Sequence, residues 1–187
     1  MIDDLAKSAE ALKNNGVILF PADISWGLGC DATSREAIGK LEKLCSPGIR
    51  ENGVVLMENS ALLDRYVSDI PDIAWDLIEI SVTPLTLLFT GVRNLAPALM
   101  EVDSPTAFRF IRDSFAGKLL QRFRRPIAFM LPVPDGGSKL YDFEDLDSNL
   151  FAEVDYVVQS VKNEGLTKVL PSVIRLGEGG RIDIIRP

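Results

Sequence analysis

Val17-Ile18-Leu19-Phe20-Pro21-Ala22-Asp23-Ile24-Ser25-Trp26-Gly27-Leu28-Gly29-Cys30-Asp31 is the stretch on which the reading of this chain turns. Asn14-Asn15-Gly16 before it signals a turn or helix end, and Val17 to Phe20 is a short apolar run suited to a buried strand. Pro21 lacks a backbone donor and biases Phe20 toward extended backbone, so the strand is expected to end there. Beyond it come one carboxylate (Asp23), one large ring (Trp26) and two glycines (Gly27 and Gly29), read as a glycine-bearing loop. Asp31-Ala32-Thr33-Ser34 then offers caps for a helix. Strand ends of this kind are where α/β proteins often bind ligands. The alternative is a tight turn whose Trp26 only packs on the core. Gly27-Leu28-Gly29 is not a dinucleotide fingerprint, because Ala32 stands where the third glycine belongs.

Working outward, Asp3 to Asn15 carries Leu5, Ala9 and Leu12 at helical spacing, and Ser34 to Leu44 carries Ala37, Ile38, Leu41 and Leu44 on one stripe. Ile49 to Gly53 reads as a polar connector, Ala61 to Val67 and Asp72 to Ile80 as helical, and Ser114 to Phe123 as a helix stopped by Pro126. Strands are expected at Val54–Met57, Pro84–Phe89, Thr106–Ile111, Ile127–Leu131 and Val154–Gln159. Ser172–Leu176 and Ile182–Ile185 read as a final hairpin through Gly177-Glu178-Gly179-Gly180. About seven short strands and about five helices, in no regular βαβ alternation, predict an α/β (α+β) fold. The expected form is one domain over residues 1–187: a twisted, mostly mixed sheet with helices packed on it.

The chain has 187 residues and a formal net charge of -7, so it exerts no global pull on nucleic acid. No apolar run approaches the ~20 residues of a membrane span. Met1-Ile2-Asp3-Asp4 lacks the pattern of a secretory signal, and the cytoplasm is the expected compartment. Cys30 and Cys45 are expected as free thiols. There is no histidine, which excludes Ser-His-Asp and Cys-His catalysis and the commonest zinc-ligand sets.

Arg109 lies inside a strand between Phe108 and Phe110, where a charge needs solvent or a partner. It is read as a salt bridge at the rim or an anchor for phosphate or carboxylate. Thr86 beside Pro84, and Ser172 after Pro171, are hydroxyls able to meet a ligand or simply to fill a strand. Arg186 closes the last strand and by itself reads as surface. Lys118, Arg122, Arg124 and Arg125 form a basic group able to contact a phosphate backbone or to balance the acids at 142–147. Asp23 alone is a weak metal signal, and no protein metal site is expected.

Taken together, these segments resemble the YrdC-like family of threonylcarbamoyl-adenylate synthases. Phe20 to Asp31 is similar to its Pro-Thr-Asp-Thr-x-Tyr-Gly-Leu motif, and Pro84-Leu85-Thr86 to its Pro-Gly-Pro-Leu-Thr element, with Thr83 in place of glycine. Thr106-Ala107-Phe108-Arg109 resembles the Val-Ala-x-Arg strand, Pro171-Ser172-Val173-Ile174 the Pro-Ser-Thr-x segment, and Ile184-Ile185-Arg186 the closing Ile-x-Arg. The resemblance implies a concave ligand surface and condensation of L-threonine, bicarbonate and ATP, with Mg2+, into threonylcarbamoyl-adenylate and pyrophosphate. That product serves modification of adenosine 37 in tRNA. It also implies Asp23, Trp26, Thr86, Arg109, Ser172 and Arg186 as substrate- or nucleotide-binding residues. Implied partners are tRNA, double-stranded RNA or tRNA-modification proteins, with neither DNA nor membrane.

The sequence departs from the pattern where phosphates should be held. Cys45 and Pro47 occupy the family's Lys-x-Arg positions, and Glu51 stands for a further lysine. The Ser-x-Ser-Ala-Asn segment falls on Phe129-Met130-Leu131-Pro132-Val133. Within the first motif Ala22 and Ile24 replace both threonines. Two readings follow: a synthase with impaired activity, or an inactive relative that needs neither ATP nor Mg2+ and binds RNA, a protein or an altered ligand. Separation of Asp23, Arg109 and Ser172 in the fold would instead indicate an unrelated domain.

Overall fold

The structure is a computed structural model describing residues 1–45, 48–101, 104–132, 139–177 and 181–187, the side chains at 50 and 51 excepted. Helix α1 (Ile2–Lys13) precedes a hairpin of β1 (Ile18–Pro21) and β2 (Trp26–Asp31). Helix α2 (Arg35–Leu44), a single helical turn α3 (Ile49–Asn52), and strand β3 (Val54–Met57) follow. Next come α4 (Asp72–Ile80), β4 (Leu85–Phe89), β5 (Thr106–Phe110), α5 (Phe115–Phe123) and β6 (Ile127–Met130). The chain closes with α6 (Leu150–Glu153), β7 (Tyr156–Val157), β8 (Ser172–Leu176) and β9 (Ile182–Arg186).

These strands form one mixed sheet in the order β7-β1-β2-β6-β3-β5-β4-β8-β9. β1–β7, β3–β5 and β4–β8 run parallel, and the other pairs run antiparallel. The strands at the centre read as unbroken apolar runs because both of their faces are covered, as the fully buried Ile127–Met130 and Val54–Met57 illustrate. Ser34 and Ser114 cap α2 and α5, accepting hydrogen bonds from the Ala37 and Gly117 backbones.

The glycine-bearing stretch is corrected here. Residues 26–31 are not a loop but a buried strand that doubles back on β1, the turn being confined to residues 22–25. The glycines serve sheet packing, not turning. A Cβ at Gly27 would sit 2.3 Å from Phe129 Cζ and 2.5 Å from the Met130 carbonyl, and one at Gly29 would sit 2.7 Å from the Phe20 ring. The Phe20 and Phe129 rings meet edge to face across this bare backbone, centroids 5.5 Å apart.

Smaller corrections have local causes. The connector after α2 winds into α3, and Ser60–Arg65 is a 3-10 turn, not an α-helix. The strand expected over Val154–Gln159 keeps only two paired residues, since β7 meets β1 at the sheet edge and then turns away. The acidic stretch Tyr141–Phe151, for which the sequence allows a loose helix or a solvated face, holds a 3-10 turn at Phe143–Asp145 and the start of α6, and needs no correction. Pro47, Val133 and most of the 132–137 turn lie outside the described residues, as does the Glu51 side chain. No helix among the described residues is long and apolar enough to cross a membrane.

Candidate functional site

Because neighbouring residues in a sheet share a face, the pairings Arg109–Thr86, Thr86–Val173 and Val173–Arg186 set four side chains in one row across β5, β4, β8 and β9. That row floors a hollow of about 230 Å³. Its walls are Ile24 from the β1–β2 turn, Val54, Phe129 and Leu131 from the central strands, and Leu140 and Leu170 from the later loops. Two guanidinium groups are the cations among its described lining residues.

Arg109 is buried and engaged through two of its three nitrogens. Its Nε donates to Thr86 Oγ1 at 3.2 Å and its Nη1 to Asp23 Oδ1 at 3.1 Å. Asp23 is fixed in turn by its carbonyl, which accepts from the Thr167 backbone N–H at 2.8 Å. Arg186, which also lines the hollow, donates Nε to the Pro171 carbonyl at 2.8 Å, and its terminal nitrogens have no partner among the described residues. Asp23, Thr86, Arg109 and Arg186, distant in sequence, are thus brought to one place.

Trp26 and Ser172 are not brought there as ligand-facing groups. Trp26 has no exposed surface, packs edge-on against Phe143 and donates its indole N–H to the Lys162 carbonyl at 2.6 Å, so it fixes the chain behind the hollow. Ser172 pairs with Leu85 and shares that residue's face, whereas Val173, paired with Thr86, takes the place in the floor. The strand alternation of two residues decides this, and sequence motifs alone could not. Val173, Leu140 and Leu170 were missed because apolar residues in strands and loops carry no chemical signal.

Of the positions expected to hold phosphates, those whose side chains are described carry no charge. Cys45 is buried, with its Sγ 3.8 Å from the Leu131 carbonyl, and burial pushes its thiol up to about 11. It is neutral at physiological pH and supplies no charge. Ala22 and Ile24 are also buried, Ile24 as wall. Asp23 Oδ1 is committed to Arg109, and no group of three or more Asp, Glu or Cys converges among the described residues.

On the other side of the Asp23–Arg109 pair lies a wider cleft of about 550 Å³ between Ile78, Val82 and the residues leading into α5. Thr83, standing where glycine was expected, lines it.

The Sua5–YciO–YrdC family model, described as telomere recombination, matches residues 10–187. The chain belongs to this family. It is 23% identical over 181 residues to the threonylcarbamoyl-AMP synthase of Pseudoalteromonas translucida, the match covering 95% of each chain. It is also 32% identical over 69 residues to that of Pseudomonas aeruginosa, 37% of each chain. Among solved structures, P. abyssi Sua5 complexed with L-threonine superimposes with a TM-score of 0.84 at 18% identity. That match covers 98% of this chain but 53% of the other, so the present chain spans about half the length of Sua5. E. coli YciO superimposes with a TM-score of 0.80 at 18% identity, covering 97% of this chain and 87% of its own. These structures establish the single α/β domain with its mixed, twisted sheet.

Proposed function

We propose that this Sua5–YciO–YrdC protein keeps the family's hollow for a compact anion, such as the carboxylate of an amino acid, and is impaired as a threonylcarbamoyl-AMP synthase. The observation that carries the reading is the neutralisation of the hollow: Asp23 sits on Arg109, and the neutral Cys45 packs where the resemblance puts a lysine. Arg186 is left to receive one small anion, with Arg109 beside it holding one unengaged terminal nitrogen.

A triphosphate asks for more. Charge-assisted hydrogen bonds contribute roughly 1.5–3 kcal/mol each, so losing two lowers ATP affinity by roughly a hundred- to ten-thousandfold. The mostly apolar walls add desolvation cost to every phosphate oxygen left unpaired. Family membership supports the lineage of the reaction, in which cations would hold ATP while a threonine carbamate attacks the α-phosphorus.

Calorimetric titration with ATP and Mg2+, with and without L-threonine and bicarbonate, tests the reading. The expected result is no saturable ATP binding at micromolar concentration, and pyrophosphate release at least a hundredfold below that of a family synthase assayed alongside. Micromolar ATP affinity, or threonine-dependent pyrophosphate release at the rate of that synthase, would overturn it. A second reading is a non-catalytic role in tRNA modification through RNA or a partner protein. It is favoured by the same apolar wall, and gel shift with tRNA tests it.

A further inference from the structure

The Asp23–Arg109 pair is a partition between two cavities. Arg109 lines the hollow, whereas Asp23 lines the wider cleft of about 550 Å³ on the other side. Three segments enclose that cleft: the end of α4 with the residues leading into β4, the end of β5 with the start of α5, and the loop carrying Gly165 and Thr167. The loop is fastened by the Thr167 backbone N–H, which donates to the Asp23 carbonyl at 2.8 Å.

We propose that this cleft binds a small organic cation, a primary ammonium group on an apolar body, with Asp23 as its counter-ion. The site is separate from the hollow and stands whatever ligand the hollow holds. Its first support is the carboxylate itself. Asp23 Oδ1 accepts from Arg109 at 3.1 Å, while Oδ2 has no partner among the described residues, in a side chain only 15% exposed. An ionised carboxylate accepts through both oxygens, so half of its capacity is open at the cleft wall.

The second support is the set of acceptors around it. The hydroxyls of Ser81, Thr83 and Thr167 line the same cleft and have no hydrogen-bond partner among the described residues. An ammonium carries three donors and no acceptor, so a carboxylate oxygen and nearby hydroxyls satisfy it, whereas an anionic ligand would face Asp23. The resemblance puts glycine at position 83, so the Thr83 hydroxyl is a feature of this chain.

The third support is charge. The lining carries two carboxylates, Asp23 and Asp113, against one guanidinium, Arg112. Arg112 and Asp113 are adjacent and exposed, so they offset each other at the rim. The positive end of α5 is already answered by its Ser114 cap and by Asp113 beside it. The last turn of α4 holds no basic residue, so the negative end of that helix stands unanswered where Ile78 and Ser81 meet the cleft. Lys168, next to Thr167, is turned to Asp142.

The walls select an organic cation over a bare metal ion. Ile78, Leu85, Phe110 and Ile111 give the cleft an apolar side, and Val82, 98% exposed, stands at its mouth. An alkyl chain laid there gains burial that a hydrated ion does not. An ammonium on Oδ2 also shares the carboxylate with Arg109, so its binding is felt at the guanidinium.

The test is an NMR titration of the 15N-labelled whole chain at pH 7 with n-hexylammonium, hexanol and hexanoate, which share a tail and differ in charge. With n-hexylammonium, saturable shifts are expected at the backbone N–H groups of Ser81, Thr83 and Thr167 and at the Arg109 Nε–H. The dissociation constant should be about 1 mM or tighter, and at least about tenfold weaker for hexanol. Hexanoate should leave the three cleft amides in place. Val82→Lys sets a cation at the mouth without touching the core and should weaken the ammonium at least about fivefold. Glu10→Gln, the same charge change on the exposed face of α1, should stay within about twofold. Asp23→Asn keeps a carbonyl for Arg109 and should abolish saturable binding. Because that variant strips a buried pair of one charge, Thr83→Val at an exposed position gives a second arm: at least about threefold weaker binding at an unchanged melting temperature. The proposal is overturned by the absence of saturable shifts with n-hexylammonium up to about 10 mM, or by shifts that spare Ser81, Thr83 and Thr167. It is equally overturned if hexanoate moves these amides as strongly, or if Glu10→Gln and Val82→Lys lose affinity alike. An Arg109 Nε–H signal that n-hexylammonium leaves unmoved also overturns it.

Discussion

At the scale of single residues, the Asp23–Arg109 pair is the feature most open to test. Both side chains are largely buried, so removing one leaves the other as an uncompensated charge. Asp23→Ala should destabilise the protein by about 3–5 kcal/mol, read from urea unfolding. Asp23→Ala combined with Arg109→Leu should recover a substantial part of that loss, because the stranded charge is gone. Equal instability of the single and double variants would show that the pair acts through something other than burial. The glycines give a second test with opposite signs. Gly27→Ala drives a methyl into the Met130 backbone as well as Phe129, and should cost about 2–3 kcal/mol or more. Gly39→Ala, in α2 with open space around it, should stabilise by about 0.5–1 kcal/mol. Thermal melts of the two variants side by side decide the matter.

At the scale of elements, the two-residue strand β7 is held less by its own pairing than by α1. Asp4 in the first turn of α1 accepts from the Tyr156 hydroxyl at 2.5 Å and from the backbone N–H groups of Gln159 and Ser160 at 3.3 and 2.8 Å. Burial works to raise the Asp4 pKa, but the Ser160 and Tyr156 side-chain bonds and the backbone donors together outweigh it, leaving it at about 2. A carboxyl held below its unfolded value of 3.8 contributes stability that is complete above about pH 4 and is lost as pH falls toward 2. The contribution is about 2 kcal/mol at neutral pH. Urea midpoints measured between pH 2 and 5 should show this slope in the natural chain and lose most of it in Asp4→Asn. Persistence of the full slope in the variant would place its origin in other carboxylates.

The elements also mark what a reader of the sequence can see. Helices α1, α2, α4 and α5 and strands β3 to β6, β8 and β9 are legible, because apolar spacing, capping serines and prolines agree locally. Strand β2 is not. Its glycines carry the chemical signature of a loop, and only the rings of Phe20 and Phe129, one on each neighbouring strand, explain why bare backbone is needed there. In the site, Asp23, Thr86, Arg109 and Arg186 were recoverable as residues, but their roles were not. That Arg109 is bound to Asp23, and that Trp26 faces inward, are outcomes of packing between segments 86 and 136 residues apart.

At the scale of the molecule, the strand order sets a gradient of protection. β6 and β3 lie mid-sheet with a partner on each side, whereas β9 forms one edge and exposes Ile184 and Ile185 at 67% and 56%. Amide hydrogen exchange should therefore be slowest at Val55 and Ala128 and fastest along β9 and β7. Slow exchange at Ile184 or Ile185 in dilute protein would mean that the β9 edge is covered by something in solution.

The amino-acid sequence by itself determined the class of fold, most of its elements and the absence of lysine and arginine at 45, 47 and 51, where the resemblance puts cations, because periodicity, caps and residue charge act locally or need no geometry. The tertiary structure decided which residues share the hollow and which of its arginines is already neutralised. Side-chain direction in a strand flips with every residue, and contacts between distant strands depend on a register that no single segment encodes.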